Sequence, residues 1–502
     1  MSLAVIYSRG RSGIDAPLVT VEVHISSGLP ALSIVGLPET AVKESKDRVR
    51  GAIINSRYDF PMQRITINLA PADLPKEGGR FDLAIALGIL AASGQIPTPQ
   101  LANFECVGEL SLGGELRPIN GALPVAMHTR DAGRQLILPQ QNKAEALLVN
   151  AVQVLAAEHL LTVCAHLCGK QLIPAESRKP LAEVRNDALD FADVHGQVHV
   201  KRAFEIAAAG QHNLLMLGPP GTGKSMLAAR LPTILPQLTE AQALETAAIT
   251  SISDQGLQLA NWRRPPFRSP HHTASAAALV GGGSNPKPGE ISLAHHGALF
   301  LDELPEFDRK VLEVLREPLE TGHITISRAS RQCDFPAQFQ LIAAMNPCPC
   351  GYLGDASGRC HCSSEQVTRY RARVSGPLLD RIDMHLEVPR IAHEILRKGS
   401  PAGEERSASI RQRVVSARQK AEQRCGKANA LLNAAEVKQY CPLSEQGHRL
   451  LEQAMDQFGL SHRAYHRILK LARTIADLAA AEAIDISHLS EAINYRKLDR
   501  IK

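Results

Sequence analysis

Residues 212–231 read HNLLMLGPPGTGKSMLAARL. Four apolar residues, Leu214 to Leu217, have the pattern of a buried strand. They run directly into Gly218, Pro219, Pro220, Gly221, Thr222, Gly223, Lys224 and Ser225, and then into a helix-forming stretch from Met226. Between a strand and a helix, the pattern G-x-x-x-x-G-K-[ST] lets backbone N–H groups close around phosphate oxygens at the helix N-terminus. Lys224 supplies a point charge for the β- and γ-phosphates, and the Ser225 hydroxyl is placed to bind Mg2+. The stretch therefore predicts an α/β nucleotide-binding domain with Gly218 to Met226 as its cradle and ATP and Mg2+ as cofactors.

A phosphate cradle alone does not hydrolyse ATP, so an acidic strand end should follow. HHGALFLDELPEF (295–307) meets this expectation, with the apolar run Ala298 to Leu301 ending in Asp302 and Glu303. Asp302 is expected to hold Mg2+ and Glu303 to polarise the attacking water. A third buried strand, FQLIAAMNP (339–347), ends in Asn346, whose neutral amide can orient that water and sense the γ-phosphate.

The chain of 502 residues is 44% apolar and 21% charged, enough for about three domains. No apolar run approaches the ~18 residues of a membrane span, and the start MSLAVIYSRGRSGIDAP lacks the layout of a signal peptide, so a soluble cytoplasmic protein is expected. A net charge of +5 neither requires nor excludes nucleic acid, and an aromatic content of 4% makes base stacking a minor contributor. Residues 1–168 alternate β-rich runs (LVTVEVHI, ALSIVGL, RITINLAP, QLILP) with helical ones (FDLAIALGILAAS, NKAEALLV), an α/β or α+β pattern. A polar linker is expected over 169–187, the ATPase domain over 188–396 after which RKGSPAGEERS marks a break, and a helical domain over 404–502. In the last, amphipathic helices are expected at 406–424, 444–458, 462–481 and 487–496.

GPPGTGKS, GALFLDEL, AAMNP and LLDRID, in this order, resemble AAA+ ATPases of the magnesium-chelatase, MoxR and MCM branch. RSPHHTASAAALVGGG, NPCPCG and SHRAYHRILKLARTIADLA extend the likeness across nearly the whole chain to the magnesium chelatase-like proteins related to ComM. The resemblance implies a hexameric DNA motor, a helicase promoting branch migration in recombination of DNA taken up in natural transformation. Its implied partners are single-stranded and branched DNA, further copies of the chain in a ring, and recombination machinery, without a membrane. It places an arginine finger at Arg381 and a sensor-2 arginine at Arg463, either of which suits stabilisation of phosphoryl charge. It also places an adenine-pocket segment at Val194, His195, Gly196 and Gln197. HITISRASRQCDF (323–335) is similar to the branch's pre-sensor-1 hairpin and SAAALVGGGSNPKPGE (275–290) to its helix-2 insert, so Arg328, Arg331 and Lys287 are expected DNA contacts through phosphate.

Cys348, Cys350, Cys360 and Cys362 form C-x-C-x9-C-x-C around a glycine-rich loop. In a reducing compartment such a group favours metal over disulfides, and four thiolates suit structural Zn2+ without an open position for chemistry. His361, between two of the thiols, is an alternative ligand. INLAPADLPKEGGRFDLAIALGIL and VGELSLGGELRPINGALPVAMHTRDAGRQLILP resemble the proteolytic domain of Lon, a ribosomal S5-type fold. Where that resemblance would put the nucleophilic serine and basic lysine stand Arg80 and Leu123, which cannot serve as either. The shifted-register substitutes Ser111 and Lys76 lack the motif context. The domain is therefore expected to serve ring assembly or substrate handling. Two rival readings are a metal-insertion motor acting on a protein partner and a tetrapyrrole, and a non-catalytic scaffold. The intact set Lys224, Asp302, Glu303 and Arg381 argues against the scaffold.

Overall fold

The computed structural model describes residues 2–36, 42, 44–176, 178, 188–253, 255–282, 286–328, 331–354, 358–390 and 404–496. Most of the expected linker, 179–187, and residues 391–403 lie outside these. The chain is a mixed α/β protein that folds as two compact units, one of residues 1–183 and 243–262, the other of 184–242 and 263–502.

The first unit is built on a seven-stranded sheet. Its strands are β1 (Ser2–Arg9), β2 (Leu18–Ser26), β3 (Ala31–Val35), β4 (Arg64–Ala70), β5 (Phe104–Cys106), β6 (Gln135–Pro139) and β7 (Gln153–Ala157), in the order β3-β4-β2-β1-β5-β6-β7. Along β2, Val19, Val21, Val23 and Ile25 are buried in strict alternation, the period of two that commits one face of a strand to the core. Helix α1 (Asp82–Ala92, DLAIALGILAA) is buried on every side, which is why it is apolar all round instead of amphipathic. Its single charge, Asp82, is paired with Arg48 at 2.8 Å. Arg80 is also buried, donating to Gly10 O at 3.1 Å and Asn120 O at 2.7 Å, and desolvation lowers its pKa to about 10. Leu123 lies in the apolar core. Lys76 donates to Pro71 O, whereas Ser111 Oγ accepts from the Glu115 N–H at 3.1 Å, so each has its own neighbour.

The 243–262 segment joins this unit although the sequence predicts one continuous ATPase domain over 188–396. The helix Glu240–Ser251 presents Ala243, Ala247 and Ala248 as a small buried stripe; Ala247 and Ala248 share a core with Leu123, Val125 and Leu136. The Gly121 N–H donates to Ser251 O at 3.1 Å.

The second unit carries a five-stranded, all-parallel sheet of β8 (Leu214–Leu217), β9 (Phe267–Arg268), β10 (Ala298–Leu301), β11 (Gln340–Met345) and β12 (Met384–Glu387), ordered β9-β10-β11-β8-β12. β10 and β11 are buried at every position, as strands covered on both faces must be. The unit's helices include α2 (Val198–Gly210), α3 (Lys224–Ala228) directly after the glycine-rich loop, and the C-terminal α4 (Ser407–Cys425), α5 (Glu445–Phe458), α6 (His462–Leu478) and α7 (Ile486–Asn494). Ser444 and Ser461 cap α5 and α6 by accepting from the N–H of Gly447 and Ala464, at 3.2 and 3.3 Å. Ile468, Leu471 and Ile475 of α6 and Leu489 of α7 share one apolar core with β8 and α2, so the C-terminal helices belong to the same unit as the sheet. A further helix, Ala434–Tyr440, is too short at seven residues to show in the periodicity.

A polar network is buried where α6 meets the sheet. Asp383 accepts from the Asn213 N–H at 2.9 Å and pairs with Arg467, with His212 Nδ1 3.7 Å away, while His212 Nε2 lies 2.8 Å from Thr474 Oγ1. Burial pushes the Asp383 carboxyl up, but Arg467 and His212 outweigh it and hold the group well below the usual carboxylate range. Burial pushes the His212 imidazole down, and Asp383 does not fully offset this. Both groups bind protons more readily in the unfolded chain, so the stability they contribute falls as pH falls. The His212 part is complete above ~6.5 and is lost as pH falls from there through the lowered folded-state value, and the Asp383 part is lost in the same way from ~4 downward. The thermal midpoint is therefore expected to decline from pH 7.5 to 5, with a smaller decline in His212→Gln, as differential scanning fluorimetry would show.

Candidate active site

In a parallel sheet the loops after the strands emerge at one edge, and the register here aligns three of them. Leu217 pairs with Met345 and Leu301 with Ala343, so the loops carrying Lys224, Asp302 and Asn346 emerge together. Gly221 and Gly223 take positive φ of 78° and 86°, and a Cβ on Gly218 would lie 2.3 Å from Val388 O. Only glycine fits the turn and the close approach that fold this loop back over the start of α3.

Lys224 is buried and donates to Gly218 O at 2.7 Å, Pro219 O at 2.9 Å and Asn346 Oδ1 at 3.2 Å. Desolvation lowers its pKa, while Asp302 and Glu303 favour its charge. Ser225 Oγ donates to Asp302 Oδ2, and Asp302 Oδ1 accepts from the Glu303 N–H at 2.9 Å. A hydroxyl beside a carboxylate is a hard oxygen pair suited to Mg2+, and an ammonium at the head of a helix suits phosphate, so the donor set fits magnesium ATP. Thr222 Oγ1 donates to Pro219 O at 3.0 Å, and Met226 is partly exposed at the first turn of α3. Gln197, at φ +51°, donates to Thr222 O at 3.1 Å and Pro389 O at 3.3 Å. The Gly196 N–H donates to Glu404 Oε1 at 2.7 Å, and Val194 is buried. The segment Val194–Gln197 thus lies against the cradle.

Glu303 adopts φ +52°, a conformation that costs a non-glycine residue of order 1 kcal/mol and that clusters at functional sites. Its half-exposed carboxylate lies 3.2 Å from His272 Nδ1. Sequence reasoning misses His272 as a site residue, since a histidine in a loop carries no spacing signal. Holding the carboxylate is its evident use, so His272→Ala is expected to lower kcat for ATP hydrolysis by ~10-fold or more with little change in nucleotide affinity.

Arg381 and Arg463 come together on a different carboxylate. Arg381 is buried, donates to Pro377 O at 2.6 Å and pairs with Glu320 Oε1 at 2.6 Å. The exposed Arg463 lies 3.6 Å from the same oxygen. Hydrogen bonding from Arg381 first, then the charges of both arginines, holds Glu320 below its ordinary pKa. The 323–336 hairpin is antiparallel and closes at the pair Arg328 and Arg331, whose side chains lie outside the described residues. Lys287 pairs with Gly282 in a second, two-residue hairpin.

The four cysteines converge. Cys348 Sγ lies 3.3 Å from Cys350 Sγ and 3.7 Å from Cys360 Sγ, Cys350 and Cys360 are 3.6 Å apart, and all four sulfurs fall within 4.8 Å of one another. The group can bind a metal ion; His361 is not part of it. A backbone N–H from Tyr352 leads in lowering the Cys350 thiol to about 6.

Among the described residues, no helix is long and apolar enough to cross a membrane. Residues 190–396 match the family described as magnesium chelatase, subunit ChlI, residues 21–142 that described as subunit ChlI of Mg-chelatase, and residues 404–496 that described as magnesium chelatase, subunit ChlI C-terminal. The competence protein ComM of Haemophilus influenzae is 51% identical over 505 residues, covering 100% of this chain and 99% of that protein. YifB of Escherichia coli is 51% identical over 502 residues, covering 100% and 98%. The DNA replication licensing factor mcm6 of Dictyostelium discoideum is 24% identical over 249 residues, covering 49% of this chain and 23% of that protein. The chain belongs to the magnesium chelatase-like AAA+ ATPases of the ComM type.

Proposed function

We propose that the protein is an ATP-driven DNA motor that assembles as a homohexameric ring in the cytoplasm and promotes branch migration during recombination of incoming DNA. The observation that carries the catalytic half is the meeting of Lys224 with Asn346 and of Ser225 with Asp302 at one sheet edge. In this reading Gly218 to Met226 hold the phosphates, and Val194, Gly196 and Gln197 border the adenine. Ser225 and Asp302 bind Mg2+, Glu303 activates water and Asn346 senses the γ-phosphate. Arg381 and Arg463 stabilise transferring charge across or within the ring, which requires Arg381 to exchange Glu320 for phosphate. Arg328, Arg331 and Lys287 contact DNA phosphates, and a zinc ion sits in the four-cysteine group. The first unit, with Arg80 and Leu123 where a Lon-type dyad would stand, serves ring assembly or substrate handling.

Full-length likeness to a competence protein and partial likeness to DNA replication licensing factors support DNA as the substrate. The family descriptions favour a second reading, a chelatase-type motor remodelling a protein partner. The two separate on ATP hydrolysis measured with and without single-stranded and branched DNA. DNA stimulation that the double substitution Arg328→Ala, Arg331→Ala removes supports the DNA motor. Hydrolysis indifferent to every DNA favours the protein-remodelling reading.

A further inference from the structure

The cysteine group begins two residues after Asn346, at the end of the strand that aligns the site. Its sulfur separations are far from the ~2.05 Å of a disulfide. They approach the ~3.8 Å edge of a tetrahedron built on Zn–S bonds of ~2.3 Å. A [4Fe–4S] cluster binds each thiolate to a different iron and a [2Fe–2S] cluster holds two pairs of thiolates apart on two irons, so either needs wider spacing than four sulfurs all within 4.8 Å of one another.

The ligand loop also touches the cradle. The Gly351 N–H donates to Cys348 O at 2.9 Å, closing the turn that leads the chain out of the first pair of thiols. Gly351 takes φ +84°, and a Cβ built there would lie 2.7 Å from Pro220 Cδ and 3.7 Å from Asn346 Cγ. The loop thus packs directly on a residue of the phosphate loop and on the residue that accepts from Lys224. Four thiolates this close repel one another unless a cation lies among them. A cation would draw the loop together against Pro220 and Asn346.

We propose that a single tetrahedral zinc ion, held by Cys348, Cys350, Cys360 and Cys362, braces the phosphate loop through Gly351, so that metal occupancy sets nucleotide affinity. The proposal rests on the reading of Gly218 to Ser225 as the nucleotide cradle. The brace acts only on binding and positioning, since four protein ligands leave the metal no position for substrate.

The test uses the full-length protein. Metal analysis by mass spectrometry should find one zinc per chain. Cobalt reconstitution should give the absorption bands of a tetrahedral thiolate site. Stripping the metal with a mercurial and a chelator, with both then removed, should weaken binding of a fluorescent ATP analogue by ~10-fold or more, and added Zn2+ should restore it. Gly351→Ala separates the brace from the metal: it should retain zinc and still bind nucleotide more weakly. A chain purified without metal and unable to take up zinc or cobalt overturns the site. Zinc removal that leaves nucleotide affinity unchanged overturns the coupling. Failure of the zinc-loaded protein to bind nucleotide at all overturns the cradle reading and the coupling with it, and is recognised because metal content is then normal.

Discussion

Glu303→Gln is expected to lower kcat for ATP hydrolysis by ~10²- to 10³-fold, the contribution of a positioned general base. Nucleotide affinity should change little. The Glu303 carboxylate faces His272, whereas the proposed phosphate contacts are Lys224 and the loop N–H groups, so glutamine removes the proposed proton acceptor without touching them. The Glu303 N–H bond to Asp302 involves only the Glu303 backbone and survives the change. Phosphate release and equilibrium binding of a fluorescent analogue measure the two separately. Undiminished hydrolysis in this variant would mean that another group activates the water.

Lys224→Ala is expected to act on binding itself, weakening ATP by ~10²-fold through loss of charge-assisted hydrogen bonds worth ~1.5–3 kcal/mol each. Lys224 is held in place by two carbonyls and an amide, all neutral acceptors that an anionic phosphate outcompetes. Lys224→Arg should not rescue, because a planar fork does not fit where a compact ammonium reaches three acceptors from a buried stem. Isothermal titration with ATP and Mg2+ measures both variants. Near-normal affinity in Lys224→Ala would place the nucleotide elsewhere.

The legible parts of the fold are those whose physics is local. Leu214–Leu217 is apolar enough to be a buried strand and runs into a glycine-rich turn, so the strand and the helix that follows it can be placed within a residue or two. The four C-terminal amphipathic helices are visible in their 3.6 period. Strand β1 is harder to see, since Ser2–Arg9 is not among the β-rich runs that stand out in the sequence, yet it lies fourth of seven in its sheet. Helix Glu240–Ser251 shows the limit of periodicity: it tells which face is buried and not which core buries it. The meeting of Arg381 and Arg463 on Glu320 and of His272 with Glu303 joins segments far apart in the chain, with no spacing rule to announce them. The cysteine group lies between these cases. Its spacing singles out the four cysteines, and the structure adds their separations and the contact of Gly351 with Pro220.

The most direct test of the central claim is movement of a synthetic four-way DNA junction, monitored by gel or by fluorescence as labelled arms separate. With ATP and Mg2+ the wild-type protein should resolve the junction into duplexes, and Glu303→Gln should bind it without moving it. Vigorous ATP hydrolysis by the wild-type protein beside a junction that stays intact would contradict the account.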